Sequence, residues 1–182
     1  MKSDRISSGR RMHHDFRHDQ QLQDPYYQAE KPPEPSMCPK CRSVFMDGRW
    51  TWNDVPKDAH QETCPACRRI EDRFPAGYVL IKGAFFDEHR DEIINLVKAR
   101  ENRQKAERPL QRIMSMDETR EGFQVTTTDS HLARGIAEAL HDAYKGDLKV
   151  RYSRDENLVR AVWQRDNKDD AGNGKKNSKA HK

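Results

Sequence analysis

The chain has 182 residues, of which 34% are hydrophobic and 35% charged; this allows one moderate domain or two small ones with limited cores and polar flanks. No apolar run approaches the roughly eighteen residues of a membrane span, so a membrane role is set aside. The formal net charge is only +4, so any affinity for nucleic acid must come from local patches and not from the charge of the whole chain.

Residues 1–36 read as a flexible arm: polar, interrupted by Pro25, Pro32, Pro33 and Pro35, and without helical or strand periodicity. Within its first seventeen residues Lys2, Arg5, Arg10, Arg11 and Arg17 outnumber Asp4 and Asp15. Such an arm could follow phosphates, or simply be a solvated terminus. His13, His14 and His18 cluster without a second ligand type beside them. Tyr26 and Tyr27 are suited to anchor the end of the arm.

Residues 37–74 read as a zinc ribbon. The four cysteines of the chain stand as Cys38-Pro39-Lys40-Cys41 and Cys64-Pro65-Ala66-Cys67, two knuckles separated by twenty-two residues. Two residues between ligands let a tight turn aim both sulfurs at one ion, and two such turns complete a tetrahedron of soft thiolates. Between them, Val44-Phe45-Met46 and Arg49-Trp50-Thr51-Trp52 flank Asp47-Gly48, a type I′ hairpin signal. Four protein ligands leave no open position, so the expected zinc is structural. Four thiolates with one divalent ion would lower the net charge to about +2. Free reduced thiols are the bland alternative. A thioredoxin-like dithiol at Cys64 and Cys67 is another, but it would sit in a βαβ context and need no twin motif.

Arg42, Arg49, Arg68, Arg69 and Arg73 lie in or beside the knuckles, interleaved with Phe45, Trp50 and Trp52. Guanidinium forks match phosphates and exposed aromatics stack on unpaired bases, so these five arginines are candidate RNA contacts. Against this, the aromatics could fill a small core and the arginines could pair with Asp47, Asp54, Glu71 and Asp72. For the tryptophans, filling is the better account.

Residues 75–165 open with the turn signal Pro75-Ala76-Gly77 and follow a different pattern. Tyr78–Phe85 is an apolar run of strand length, and Asp87 can cap a helix with Phe86, Ile93, Ile94 and Val97 on one face. Strands are predicted over 110–116 and 123–128, joined by a loop over 118–122. Asp129 or Ser130 caps a second helix with Leu132, Ile136, Ala139, Leu140 and Ala143 on one face, ended by Gly146. Strands over 148–152 and 158–163 complete the order β-α-β-β-α-β with one extra strand, the order of a ferredoxin-like plait, and the fold class is α+β. Residues 166–182 read as a disordered lysine-rich tail.

The two knuckles, the Gly48-Arg49-Trp50 hairpin, Pro75-Ala76-Gly77 and the helix start from Thr126 to Ala133 resemble a group of uncharacterised bacterial proteins over residues 9–165. The paired knuckles are in turn similar to the amino-terminal zinc-binding region of the nonsense-mediated-decay-three family, the export adaptor of the large ribosomal subunit. That family has two pairs of knuckles and later domains that this chain lacks. The resemblance implies a zinc module contacting RNA or the ribosome, with the four cysteines as the residues carried over. Scattered histidines and carboxylates without a nucleophile or an open metal do not specify a reaction, so no enzyme is expected. The other reading is a protein-interaction adaptor anchored by Phe85, Phe86 or Trp163. Thiolate ligands favour a reducing compartment, the cytoplasm.

Overall fold

The computed structural model describes residues 24–26, 31–153 and 158–167. Most of the arm, its three histidines and almost all of the predicted tail lie outside the described residues. What is described is a mixed α+β structure with two sheets and four helices. None of these helices is long and apolar enough to cross a membrane.

The first sheet is built from β1 (Ser36–Met37), β2 (Val44–Met46), β3 (Arg49–Thr51) and β4 (His60–Gln61), in the order β3-β2-β1-β4. Its hairpin turns at Asp47 and Gly48 with φ of 53° and 73°, the two positive values a type I′ turn needs. Glu34 closes this turn by accepting the Asp47 and Gly48 amides on its two carboxylate oxygens at 2.9 and 3.0 Å. Phe45 and Trp50, paired across the strands, pack as tilted rings with centroids 5.5 Å apart and form the small core with the cysteines and Ala66. Helix α1 (Pro65–Asp72) follows, with Cys64 as N-cap and Pro65 at its first position, where the missing N–H costs nothing.

The second sheet holds β5 (Gly77–Lys82), β6 (Ile113–Thr119), β7 (Gly122–Thr127), β8 (Asp147–Ser153) and β9 (Leu158–Gln164). Its order is β6-β7-β5-β9-β8. The last hairpin returns its second strand to the interior, where β9 runs parallel to β5, so the extra strand sits inside the sheet. Three helices, α2 (Ala84–Glu88), α3 (Arg90–Glu107) and α4 (Ser130–Tyr144), share one core with Val79, Ile81, Phe123, Val125 and Trp163. Gly77 makes the close approach of α4 possible: a Cβ there would lie 2.4 Å from the Ala133 Cβ.

Several local expectations are corrected. Ala84 and Phe85 leave the strand because Gly83, at φ 104°, turns the chain into α2. Asp87 lies inside that short helix, and α3 is capped by His89 without a side-chain bond. Of the two proposed caps for α4, Asp129 is used: its carboxylate accepts the Leu132 amide at 2.9 Å. Ala143 is exposed, and Ala133 and Ala137 take the buried positions beside Leu132, Ile136 and Leu140. Leu110, Gln111 and Arg112 do not begin the strand; they form a loop that turns toward the cysteines.

Candidate metal centre

The first knuckle is shaped by a tight turn in which Arg42 N–H donates to Cys38 O and Cys38 N–H donates to Ser43 O, both at 2.8 Å, with Arg42 at φ 64°. The second knuckle uses the start of α1, whose aligned peptide dipoles favour negative charge at Cys64 and Cys67. The four sulfurs lie within 4.8 Å of one another, with Cys41 and Cys64 3.7 Å apart. Zinc–sulfur bonds of about 2.3 Å in a tetrahedron place sulfurs about 3.8 Å apart; the Cys41–Cys64 pair already stands there, and the widest pair would close by at most about 1 Å. Cys38, Cys64 and Cys67 are buried and Cys41 is partly so. These four can hold a metal ion as four soft thiolates, with every first-sphere position supplied by the protein.

Every sulfur also receives a hydrogen-bond donor. Cys64 N–H points at Cys38 Sγ at 3.4 Å, Cys67 N–H at Cys64 Sγ at 3.5 Å, and Ser43 Oγ lies 3.2 Å from Cys41 Sγ. The remaining donors come from Arg112, far along the chain. Its Nη2 donates to Cys41 Sγ at 3.0 Å and Cys64 Sγ at 3.4 Å, and its Nη1 to Cys67 Sγ at 3.3 Å. Arg112 is 7% exposed. Its Nε donates to Pro109 O at 2.7 Å, and its backbone is locked to Thr128 in both directions at 2.9 Å. A residue held by the second sheet thus closes the metal site of the first.

The guanidinium and the sulfurs tune one another. Burial disfavours the Arg112 charge, but the Cys67 hydrogen bond and the neighbouring thiolates outweigh it and raise the guanidinium above its ordinary value. Without a metal, Cys41 is held down to about 3 by the hydrogen bond from Cys64, with Ser43 and Arg112 assisting against burial. Cys64 is pushed up because it is the donor in that pair and is buried. Burial likewise raises Cys67, partly offset by Arg112.

The candidate arginines divide. Arg42, Arg49 and Arg73 are exposed, and Arg68 is half-buried with its guanidinium on the Glu62 carboxylate. Arg69, 3% exposed, turns inward: it pairs with Asp24, donates to Phe74 O at 3.2 Å and lies 4.4 Å over the Tyr26 ring. The Tyr26 hydroxyl in turn donates to Asp72 at 2.6 Å, fastening this part of the arm to α1. Trp50 is core, whereas Trp52 is 40% exposed and donates its Nε1–H to Lys105 O on α3 at 2.6 Å. Phe86 and Trp163, offered as adaptor anchors, are buried, and Phe85 packs against the core.

Sequence reasoning missed Arg112. Its one signal is weak: an arginine standing where a strand pattern of alternating apolar residues was expected. No family model, curated protein or solved structure matches the chain.

Proposed function

We propose that the chain is a non-enzymatic binding module organised by a structural zinc ion, and that its partner is RNA, on the ribosome or free. In this reading the four-stranded sheet with its two knuckles is a zinc ribbon, and the five-stranded part is a ferredoxin-like plait with β9 inserted between the usual neighbours. The observation that carries the structural role is the closure of the site: four buried or half-buried sulfurs, each with a protein donor, capped by Arg112. A catalytic zinc keeps a position for water or substrate, and four thiolates provide none. Zinc rather than a redox metal fits a module whose ion contributes to folding, and thiolate ligands fit a reducing cytoplasm.

RNA is supported by the exposed Arg42, Arg49 and Arg73 around the site, with Arg68 on its rim. Arg69 is spent on fastening Asp24 and Tyr26 and contributes indirectly. A protein partner is the second reading, favoured by Ile70, exposed near the end of α1, and Phe74, exposed just past its C-cap.

The test is native mass spectrometry with metal analysis on protein purified under reducing conditions, beside a Cys64→Ser, Cys67→Ser variant. One zinc per chain, lost in the variant together with order in residues 31–74, is the expected result. Metal-free protein that stays folded and cycles between thiol and disulfide would overturn the structural reading. RNA contact is tested by binding that weakens steeply with salt; binding indifferent to salt would point to the protein partner.

A further inference from the structure

The helices and the metal leave one large surface unexplained, the second face of the five-stranded sheet. The three helices pack on the face that carries Val79, Ile81, Phe123, Val125 and Trp163. Alternation along the strands sends the intervening residues to the opposite face. There Tyr78 and Val162 are half-buried and Leu80 is buried, and none of the three joins either core cluster.

The register arranges this face as a grid. One cross-strand row reads Tyr78, Arg160, Arg151, and the next reads Leu80, Val162, Lys149. Arg160 lies 5.5 Å over the Tyr78 ring. Arg151 and Arg160 are directly opposite one another and exposed. Among the described residues no carboxylate forms an ion pair with either. Like charges facing each other across strands destabilise a sheet, and an anion lying between them removes that penalty. Asp147 and Asp117, the acids on this face, stand off the centre of the grid: Asp147 in a third row opposite Gln164, and Asp117 beyond Gln124 at the β6 edge.

We infer that this face binds single-stranded RNA, a reading that rests on RNA being the partner and identifies which surface takes it. Arg151, Arg160 and Lys149 would hold consecutive phosphates. Tyr78, braced by the Arg160 guanidinium, would stack on an unpaired base, with the half-buried Val162 beside it and the buried Leu80 beneath. Duplex RNA hides its base faces and could use only the charges, so the aromatic and apolar centre selects the single strand.

The experiment is fluorescence anisotropy of a labelled oligouridylate of about twelve nucleotides, near the upper site size of single-strand binding folds, beside a duplex of equal length. The full chain, loaded with zinc, is compared with Arg151→Gln/Arg160→Gln, Tyr78→Ala and Arg42→Glu/Arg49→Glu. Zinc content and circular dichroism are checked in each. The sheet double variant should bind the single strand roughly tenfold or more weakly, with a salt slope shallower by about 1.4 for two lost phosphate contacts. Tyr78→Ala should cost roughly fivefold or more in affinity while leaving that slope unchanged.

Unchanged binding in both sheet variants overturns the proposal, as does equal affinity for duplex. Loss only in the Arg42/Arg49 variant overturns the sheet site but leaves RNA as the partner. Absence of RNA binding in the unaltered chain removes both, and capture of an acidic protein through Arg151 and Arg160 instead would replace the RNA assignment.

Discussion

Replacing Arg112 with methionine keeps an unbranched apolar stem and removes the three hydrogen bonds to Cys41, Cys64 and Cys67 along with the Nε bond to Pro109 O. Taken singly, hydrogen bonds to charged acceptors contribute about 1.5–3 kcal/mol each, which would suggest a loss of several kcal/mol. The sum overstates the effect, because the variant also escapes the cost of burying a guanidinium that is 7% exposed. Outer-sphere partners of metal ligands typically change affinity by about 10–100-fold, equivalent to about 1.4–2.8 kcal/mol. That range is the expectation for Arg112→Met.

Arg112→Lys keeps the charge but offers a point donor in place of the fork, and should fall between the two. The assay is equilibrium competition for zinc against a chromophoric chelator at neutral pH. The backbone bonds between Arg112 and Thr128 survive either substitution, so the second sheet should melt unchanged and serve as an internal control. Zinc affinity of the methionine variant within twofold of the native chain would refute the outer-sphere role.

In the metal-free, reduced protein Cys41 is held at about 3, below the ordinary thiol value near 8.5. Its stabilising contribution is therefore complete above the ordinary value and disappears only as the pH falls toward 3. Alkylation should modify Cys41 first, at a rate nearly flat between about pH 5 and 8, where an ordinary thiol speeds up about tenfold per pH unit. Uniform labelling of all four cysteines with the ordinary pH dependence would disprove the shared-proton arrangement. Trp163→Ala removes a fully buried ring and its 2.7 Å bond to Lys145 O, and should destabilise the second sheet by about 3–5 kcal/mol in denaturant unfolding. Trp52→Phe retains the ring but loses the bond to Lys105 O; a net loss of about 1 kcal/mol should raise hydrogen exchange near the end of α3 about fivefold.

The local features were legible in the residues themselves. Two C-x-x-C knuckles nominate four sulfurs because the ligand geometry is set within each turn, and Asp47-Gly48 announces its hairpin because two positive φ values have few suitable residues. Strand and helix periodicity likewise identified β5, β7, α4, β8 and β9, with errors concentrated at their ends. What the tertiary structure alone decided are pairings between segments distant in the chain. Arg112 reaches sulfurs 45–71 residues away, Arg69 turns inward because Asp24 and Tyr26 meet it, and β9 enters the sheet beside β5. Trp50 and Trp52, two residues apart, part company for the same reason: one faces Phe45 and the cysteines, the other reaches α3. Propensity and spacing act over a turn of chain, whereas a buried charge and an inserted strand depend on which surfaces close over one another.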